Sequence, residues 1–324
     1  MSSSLAIDAH GLVKRFGDKT ALGGVDVAVA SGTVTSILGP NGAGKTTTVR
    51  ILTTLSLADE GTATVAGFDV RTHPTEVRRR IGLAAQDATV DPLLTGRENL
   101  VMIGELQQLS RRDARTRADH LLEQFNLVDA GDKVVGDYSG GMRRRLDLSS
   151  TLIADPQILF LDEPTTGLDP RARAELWDVL DTLTEGGTTI LLTTQYLEEA
   201  DRLADDILVI DHGKVIAQGD ARSLKRQVGG DNIGVTVSEA DRLDEAAAIL
   251  GRITGAEPVL DRPIRTAVAP TQEGVASLGR VADALAECGL GVEDLSLRQP
   301  TLDEVFLTLT GKPMDDENEL QEAH

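Results

Sequence analysis

The sequence is poor in three kinds of feature, and each shortage excludes a class of protein. One of its 324 residues is cysteine, so no disulfide can form within the chain. Aromatic residues make up 2%, too few for a surface that stacks successive nucleic-acid bases. No stretch approaches the roughly 20 apolar residues that cross a bilayer. The start, Met1 to Ser4, lacks the basic residues and apolar core of a secretion signal.

Basic residues are also outnumbered: 32 lysines and arginines stand against 52 aspartates and glutamates, which gives a formal net charge of −20. A protein that binds a phosphate backbone needs clustered basic residues, and only two short arginine runs, 78–80 and 143–145, stand out. We interpret both runs as solvated helix faces, and the single Cys288 as a small buried hydrophobe in a reducing compartment. These features predict that nucleic acid is not a partner.

Short apolar runs alternate with helical patterns along the first two thirds of the chain. The runs at 33–38, 158–161, 189–193 and 207–210 read as strands, with helices predicted between them, including 45–55, 172–183 and 198–203. Such alternation predicts a mostly parallel sheet with helices on both faces. Residues 5–11 and 25–29 predict strands of an N-terminal antiparallel layer, and Gly213 lies in a predicted hairpin turn.

The remaining segments predict smaller parts. Capping patterns at Thr95 and at Ser110 open a helical subdomain of about residues 95–155 within a large domain, 5–225. A Gly-Gly pair then leads to a small α/β domain, 231–311, whose last helix is capped by Thr301 and carries an apolar face. That face either docks onto its own domain or regulates a partner. Residues 312–324 are acidic and are predicted to be disordered.

A glycine-rich loop follows the first predicted strand of the parallel sheet. It fits G-x-x-x-x-G-K-[ST], in which backbone amides and a helix N-terminus surround phosphates. Lysine would reach the β- and γ-phosphates and the first threonine would ligate Mg²⁺. The predicted nucleotide-binding residues are Gly39, Pro40, Asn41, Gly42, Ala43, Gly44, Lys45, Thr46 and Thr47.

Two carboxylates, Asp162 and Glu163, end the apolar strand at 158–161. Ligands bind at this edge of a parallel sheet. Asp162 is predicted to serve Mg²⁺, and Glu163 to polarise the attacking water. Ser139, Gly140 and Gly141 precede another helical run and would form a second anion cradle, although Ser-Gly-Gly is also an ordinary turn.

In this order and spacing, the four segments resemble the ATPase subunit of ABC transporters: the phosphate loop, the Ser-Gly-Gly segment, the acidic pair and Thr166-Gly167-Leu168-Asp169. The resemblance covers residues 5 to about 225 and implies the P-loop NTPase fold with ATP and Mg²⁺ as cofactors. It further implies that Gln86 contacts Mg²⁺ and senses a membrane subunit, that Phe16 stacks on adenine and that Asp169 lines a dimer interface. Phe16 has an alternative interpretation as a core or surface residue.

Two positions depart from the family pattern. The usual Leu-Ser-Gly-Gly-Gln is Tyr138-Ser139-Gly140-Gly141-Met142 here, and Gln195 occupies the place of the switch histidine. A glutamine amide can donate to the γ-phosphate but cannot carry a proton; alternatively, Gln195 is a surface residue that opens a helix. This glutamine and the closing motif at 297–307 resemble the daunorubicin-resistance ATP-binding branch.

The resemblance implies how the chain works. Two copies would face head to tail, so that each ATP lies between the phosphate loop of one copy and Ser139 of the other. The pair would power an integral membrane subunit, bound at the cytoplasmic face of the cell membrane, that exports a drug or antibiotic. A lipid or polysaccharide exporter, a nutrient importer and a soluble non-transport ATPase remain as alternatives.

Overall fold

A computed structural model describes residues 5–85, 89–228 and 231–311 of the chain. The described chain divides into two compact units, with the boundary between Ala221 and Arg222. The predictions for 312–324 and for Gln86 lie outside the described residues. Within the described part, no helix is both long and apolar enough to cross a membrane.

The first unit contains ten strands, seven α-helices and two short 3-10 turns among its described residues. The strands are β1 (Leu5–Phe16), β2 (Lys19–Ala30), β3 (Val34–Leu38), β4 (Glu60–Val65), β5 (Phe68–Asp69), β6 (Ile81–Ala84), β7 (Ile158–Asp162), β8 (Thr189–Thr194), β9 (Asp206–Asp211) and β10 (Lys214–Gly219). The helices are α1 (Lys45–Leu52), α2 (Pro74–Arg78), α3 (Gly96–Leu106), α4 (Arg111–Gln124), α5 (Gly140–Thr151), α6 (Pro170–Glu185) and α7 (Leu197–Leu203). Helix α8 (Ala221–Val228) spans the boundary between the units.

These strands form the two predicted sheets. The larger has the order β10-β9-β3-β8-β7-β6, and its neighbours pair in parallel except for the β9–β10 hairpin. The smaller has the order β2-β1-β4-β5 and is antiparallel. The mostly parallel α/β sheet and the N-terminal antiparallel layer, predicted from the pattern, are therefore confirmed, and so is the P-loop fold that the resemblance implies.

The central strands separate two apolar cores. Successive side chains of a strand point to opposite faces, and β7 uses this alternation fully. Leu159 and Leu161 join a core with helices α4, α5 and α6. Ile158 and Phe160 join a core with α1 and the antiparallel sheet. Because both faces are covered, the end of β7 is held from both sides.

Local capping chemistry places the helix starts where the sequence predicts them. Thr95 and Glu98 form a complete capping box at α3, with the Glu98 amide 3.1 Å from the Thr95 hydroxyl. Ser110 accepts from the Asp113 amide at the start of α4. Such caps satisfy amides that the helix itself leaves unpaired.

The second unit contains β11 (Asp231–Val237), α9 (Leu243–Thr254), β12 (Val259–Asp261), β13 (Thr266–Thr271), α10 (Val275–Glu287), β14 (Val292–Arg298) and α11 (Leu302–Thr310). Its antiparallel sheet has the order β12-β13-β11-β14. This is the split βαβ arrangement, in which two strand–helix–strand units interleave. The core combines Val235 and Ile233 with Leu250 of α9 and Leu285 of α10.

Two features of the second unit bear on the sequence predictions. Cys288 is exposed, so its interpretation as a buried hydrophobe is wrong; it follows the last residue of α10, where the helix leaves the core. The capping box of α11 is present at Thr301 and Glu304. On the predicted apolar face of α11, Val305 and Phe306 are buried while Leu309 is 39% exposed.

Candidate functional site

The glycine-rich loop joins the end of β3 to the start of α1. At Gly39 a side chain would come within 2.2 Å of the Ile210 carbonyl oxygen, so only glycine fits. Gly44 lies at φ 113, at the N-cap of α1, where glycine is favoured because it has no Cβ. The unpaired amides and the dipole of α1 therefore face a cleft.

That cleft has a volume of about 350 Å³. Among the predicted residues it is lined by Phe16, Asn41, Gly42, Gly44, Lys45, Thr46, Thr47 and Glu163. Gly39, Pro40 and Ala43 belong to the loop but not to this lining; Ala43 is 2% exposed. The lining provides backbone amides, two hydroxyls and two lysines, Lys45 and the additional Lys19, a combination suited to a phosphate chain.

Lys45 is buried at the centre of this arrangement. Its Nζ donates to the carbonyl oxygens of Gly39 at 2.7 Å and Pro40 at 3.1 Å, and lies 3.2 Å from Glu163 Oε1. Burial lowers the pKa of Lys45, and the charge of Glu163 opposes that shift. The ammonium is thus oriented by three oxygens toward the end of β7.

Asp162 lies beside Thr46, as the motif predicts. The Thr46 hydroxyl donates to Asp162 Oδ1 at 3.2 Å, and the Thr193 hydroxyl of the neighbouring strand donates to the same oxygen at 2.6 Å. A carboxylate beside a hydroxyl suits a hard cation that keeps most of its remaining ligands from phosphate and water. No cluster of three His, Cys, Asp or Glu able to hold a metal occurs among the described residues.

Glu163 follows Asp162 in an unusual backbone conformation. Its φ is 50°, a region that costs a residue other than glycine of order 1–3 kcal/mol. Its amide donates to both the carbonyl and the hydroxyl oxygen of Thr193, each at 3.1 Å. Residues held in such conformations cluster at functional sites. Gln195 lies two residues beyond Thr193, immediately after β8, and is half-buried.

Phe16 ends β1 at the mouth of the cleft. Its side chain is 57% exposed, so the alternative of a core phenylalanine is wrong. Lys14 Nζ lies 5.5 Å from the centre of the ring. An exposed ring beside a phosphate cradle is available to stack on a planar base.

The Ser-Gly-Gly segment and Asp169 meet in a second cleft of about 390 Å³, which is lined by Ser139, Gly140, Gly141 and Asp169. Ser139 caps α5 and accepts from the Met142 amide at 3.2 Å; Asp169 caps α6 and accepts from the Ala172 amide at 2.8 Å. A side chain at Gly141 would lie 2.9 Å from the Ala172 Cβ, which explains the second glycine. Lys45 lines the first cleft and Ser139 the second, so the two predicted phosphate-binding segments of one copy lie in separate clefts.

Sequence reasoning missed three residues around the site. Thr193 could have been suspected, because it is the next-to-last residue of β8, the strand that pairs with the one carrying the acidic pair. Glu199 of α7 is fully buried and accepts from Trp177 Nε1 at 3.2 Å. Burial raises the pKa of Glu199, and hydrogen bonds from Thr194 and Trp177 oppose the shift.

The third missed residue is Arg144, and here the prediction of a solvated face is wrong. The side chains of Arg144 and Arg145 are only 12% and 13% exposed. Arg144 reaches inward to backbone carbonyls at the end of β7. The charge run is therefore partly structural, because the guanidinium groups replace water with protein acceptors.

A parallel sheet with a glycine-rich phosphate loop, a buried lysine and an acidic pair at its carboxyl edge defines a P-loop nucleoside triphosphatase. Comparison with known proteins narrows this class. The family model "ABC transporter" matches residues 22–166. The chain is 55% identical over 306 residues to the daunorubicin resistance ATP-binding protein DrrA2 of Streptomyces coeruleorubidus, covering 94% of this chain and 95% of the relative.

Two further similarities agree. The daunorubicin/doxorubicin resistance ATP-binding protein DrrA of Streptomyces peucetius is 48% identical over 311 residues, covering 96% of this chain and 94% of the relative. A solved dimeric ATP-binding cassette in a post-hydrolysis state, bound to ADP and phosphate, matches with a TM-score of 0.60 and 25% identity, covering 66% of this chain and 98% of that one. The chain belongs to the ATP-binding ATPase subunits of ABC transporters, in the branch of the daunorubicin-resistance proteins.

Proposed function

We propose that two copies of this chain hydrolyse Mg²⁺-ATP between them and so power a membrane subunit that exports a drug or antibiotic. The carrying observation is that Lys45 and Ser139 line two different clefts of one copy. Head-to-tail pairing would bring the cradle of each copy to the nucleotide of the other. A nucleotide could then be held from both sides, and the closed pair would exist only while the terminal phosphate is present.

Within one copy, the first cleft would bind the nucleotide. Phe16 would stack on adenine, the loop amides and Lys45 would hold the β- and γ-phosphates, and Thr46 and Asp162 would hold Mg²⁺, which neutralises the phosphate charge. Gln86 remains a predicted ligand of Mg²⁺. From the partner copy, Ser139, Gly140 and Gly141 would face the γ-phosphate, with Asp169 at the shared interface.

Glu163 would orient and deprotonate the attacking water. Its carboxylate is kept near the phosphates by Lys45, and its strained backbone is fixed by Thr193. Gln195, which immediately follows β8, would donate an amide hydrogen to the γ-phosphate. Since an amide does not titrate, the proton from the water would pass to Glu163 rather than to residue 195.

The energy of closure is within reach of these contacts. Shifting a pair from about 1% to about 99% closed requires about 5.5 kcal/mol of differential binding. Charge-assisted hydrogen bonds contribute roughly 1.5–3 kcal/mol each, and two shared nucleotides would supply several. Loss of the γ-phosphate on hydrolysis would remove them and reopen the pair.

Glu163→Gln tests the hydrolytic role. It should lower kcat for ATP at least about 100-fold, the usual scale for a general base, while leaving ATP binding intact. ATP and Mg²⁺ should then hold the variant as a dimer in size-exclusion chromatography. Glu198→Gln, an exposed carboxylate on α7, is the matched control and should turn over normally. A variant that stays monomeric with its membrane subunit supplied, or that keeps its turnover, would refute the proposal.

Drug export draws support from the two daunorubicin-resistance relatives and has its own test. Cells that express the chain with its membrane subunit, bound at the cytoplasmic face, should survive several-fold more anthracycline than cells carrying Glu163→Gln. Accumulated anthracycline is measured by its fluorescence. Equal accumulation in both strains would contradict anthracycline export and favour the alternatives of a lipid or polysaccharide exporter or an importer.

A further inference from the structure

Arg144, in the second turn of α5, donates hydrogen bonds to three backbone carbonyl oxygens. Its Nε donates to the Pro164 oxygen at 2.8 Å, Nη1 to the Ala85 oxygen at 2.9 Å and Nη2 to the Glu163 oxygen at 3.3 Å. A guanidinium offers several donors in one plane, whereas a lysine is a single point charge. Two of the three carbonyls belong to the acidic strand end, and the third belongs to a different segment.

Asp147, one turn further along α5, binds Thr89. Its Oδ1 accepts from the Thr89 amide and from the Thr89 hydroxyl, each at 2.7 Å. Ala85 and Thr89 are the described residues on either side of 86–88. Asp147 is 1% exposed, and its Oδ2 lies 3.7 Å from Arg144 Nη1. The two side chains thus neutralise each other's charge in a buried place, where either charge without a partner would destabilise the fold.

Glu163 is the residue most dependent on this contact. At φ 50 its backbone lies in a sparsely populated region and persists only if its surroundings fix it. Thr193 holds its amide and Arg144 holds its carbonyl. Removing one of the two would let the peptide rotate, and the carboxylate would move with it.

We propose that Arg144 is a positioning residue for Glu163, and that Arg144, with Asp147 beside it, makes α5 the element that fixes the backbone of the catalytic glutamate. The inference rests on the proposed role of Glu163. Because Ser139 is the N-cap of α5, the helix that would contact the partner's nucleotide is the one that fixes the local glutamate. Binding at one half-site would then adjust hydrolysis at the other through a single rigid helix.

The test compares Arg144→Lys and Arg144→Met with Arg117→Lys in the full chain. Arg117 of α4 also bonds a carbonyl of this region, the Leu152 oxygen just beyond the opposite end of α5, at 3.1 Å, and pairs with Asp155. It therefore reports a purely structural loss. Steady-state kinetics give kcat, and equilibrium dialysis gives the Kd for ATP.

Arg144→Met should lower kcat at least tenfold and Arg144→Lys less, with the Kd for ATP within about twofold of wild type. Arg117→Lys should leave both within twofold. In a Glu163→Gln background, Arg144→Met should cause little further loss, because both substitutions act on one step. Unchanged kcat in Arg144→Met, a matching fall in ATP affinity, an equal loss in Arg117→Lys, or full additivity with Glu163→Gln would each overturn the proposal. A wild-type chain without turnover would instead refute the proposed function.

Discussion

At the scale of single residues, the site is built from side chains whose environment is far from water. Lys45, Asp162 and Glu163 are each less than a tenth exposed. Charges in such places are retained only where partners compensate the loss of hydration. The partners here are Thr193, Arg144 and the loop carbonyls, and they also fix direction. The same contacts that make burial tolerable therefore fix the orientation of these three side chains.

Glu199 gives a prediction about pH. Its folded-state pKa is raised above the ordinary 4.5, so folding favours its protonated form. The chain should lose stability as the pH rises from about 4.5 through the raised value, since the unfolded state releases that proton more readily. Glu199→Gln should remove this component and flatten the profile. Urea unfolding at pH 5, 6.5 and 8 measures it, with exposed Glu198→Gln as control. Profiles of equal slope for wild type and Glu199→Gln would contradict it.

Predictions for single residues succeeded where known motifs assign two residues to one site, and failed where the environment of a side chain depends on its burial. Thr46 and Asp162 are 116 positions apart, yet the motif pairs them and the structure brings their oxygens to 3.2 Å. Arg144 and Cys288 were each interpreted from residue type alone, and both interpretations are wrong. Side-chain burial depends on which elements pack together, and composition carries little of that information.

At the scale of elements, the loop between β3 and α1 depends on backbone freedom. Gly44→Ala should destabilise the protein by about 1–3 kcal/mol and weaken ATP binding at least tenfold. The added Cβ would lie 2.7 Å from Leu22 Cδ2 and 2.8 Å from the Ala21 oxygen, at a φ of 113. Calorimetry and equilibrium dialysis measure the two effects.

Gly279→Ala is the control for that substitution. Gly279 lies inside α10, and an added Cβ would meet no atom within 4 Å. Alanine there should raise stability by roughly 0.5–1 kcal/mol and leave ATP binding unchanged. Equal effects of the two substitutions would show that the strain assigned to Gly44 is absent.

At the scale of the whole molecule, the sequence predicts the kind of sheet but not the order of its strands. Alternating strands and helices predict parallel pairing, and β3, β7, β8 and β9 follow that rule. The insertion of β8 between β3 and β7 requires β3 to pair with β8, whose residues lie more than a hundred positions away, and no local pattern reports such a contact. For the same reason, a mixed α/β prediction for the second unit did not specify its interleaved β12-β13-β11-β14 sheet.

The two cores on either side of β7 have an evolutionary consequence. Leu159 and Leu161 support one core and Ile158 and Phe160 the other, so almost every position of this strand is needed for folding. Substitutions in β7 that alter the rate of ATP hydrolysis would also disturb one of the two cores and so impair folding. Heritable variation in rate should therefore accumulate on the helices that approach the strand end, while the strand itself drifts slowly.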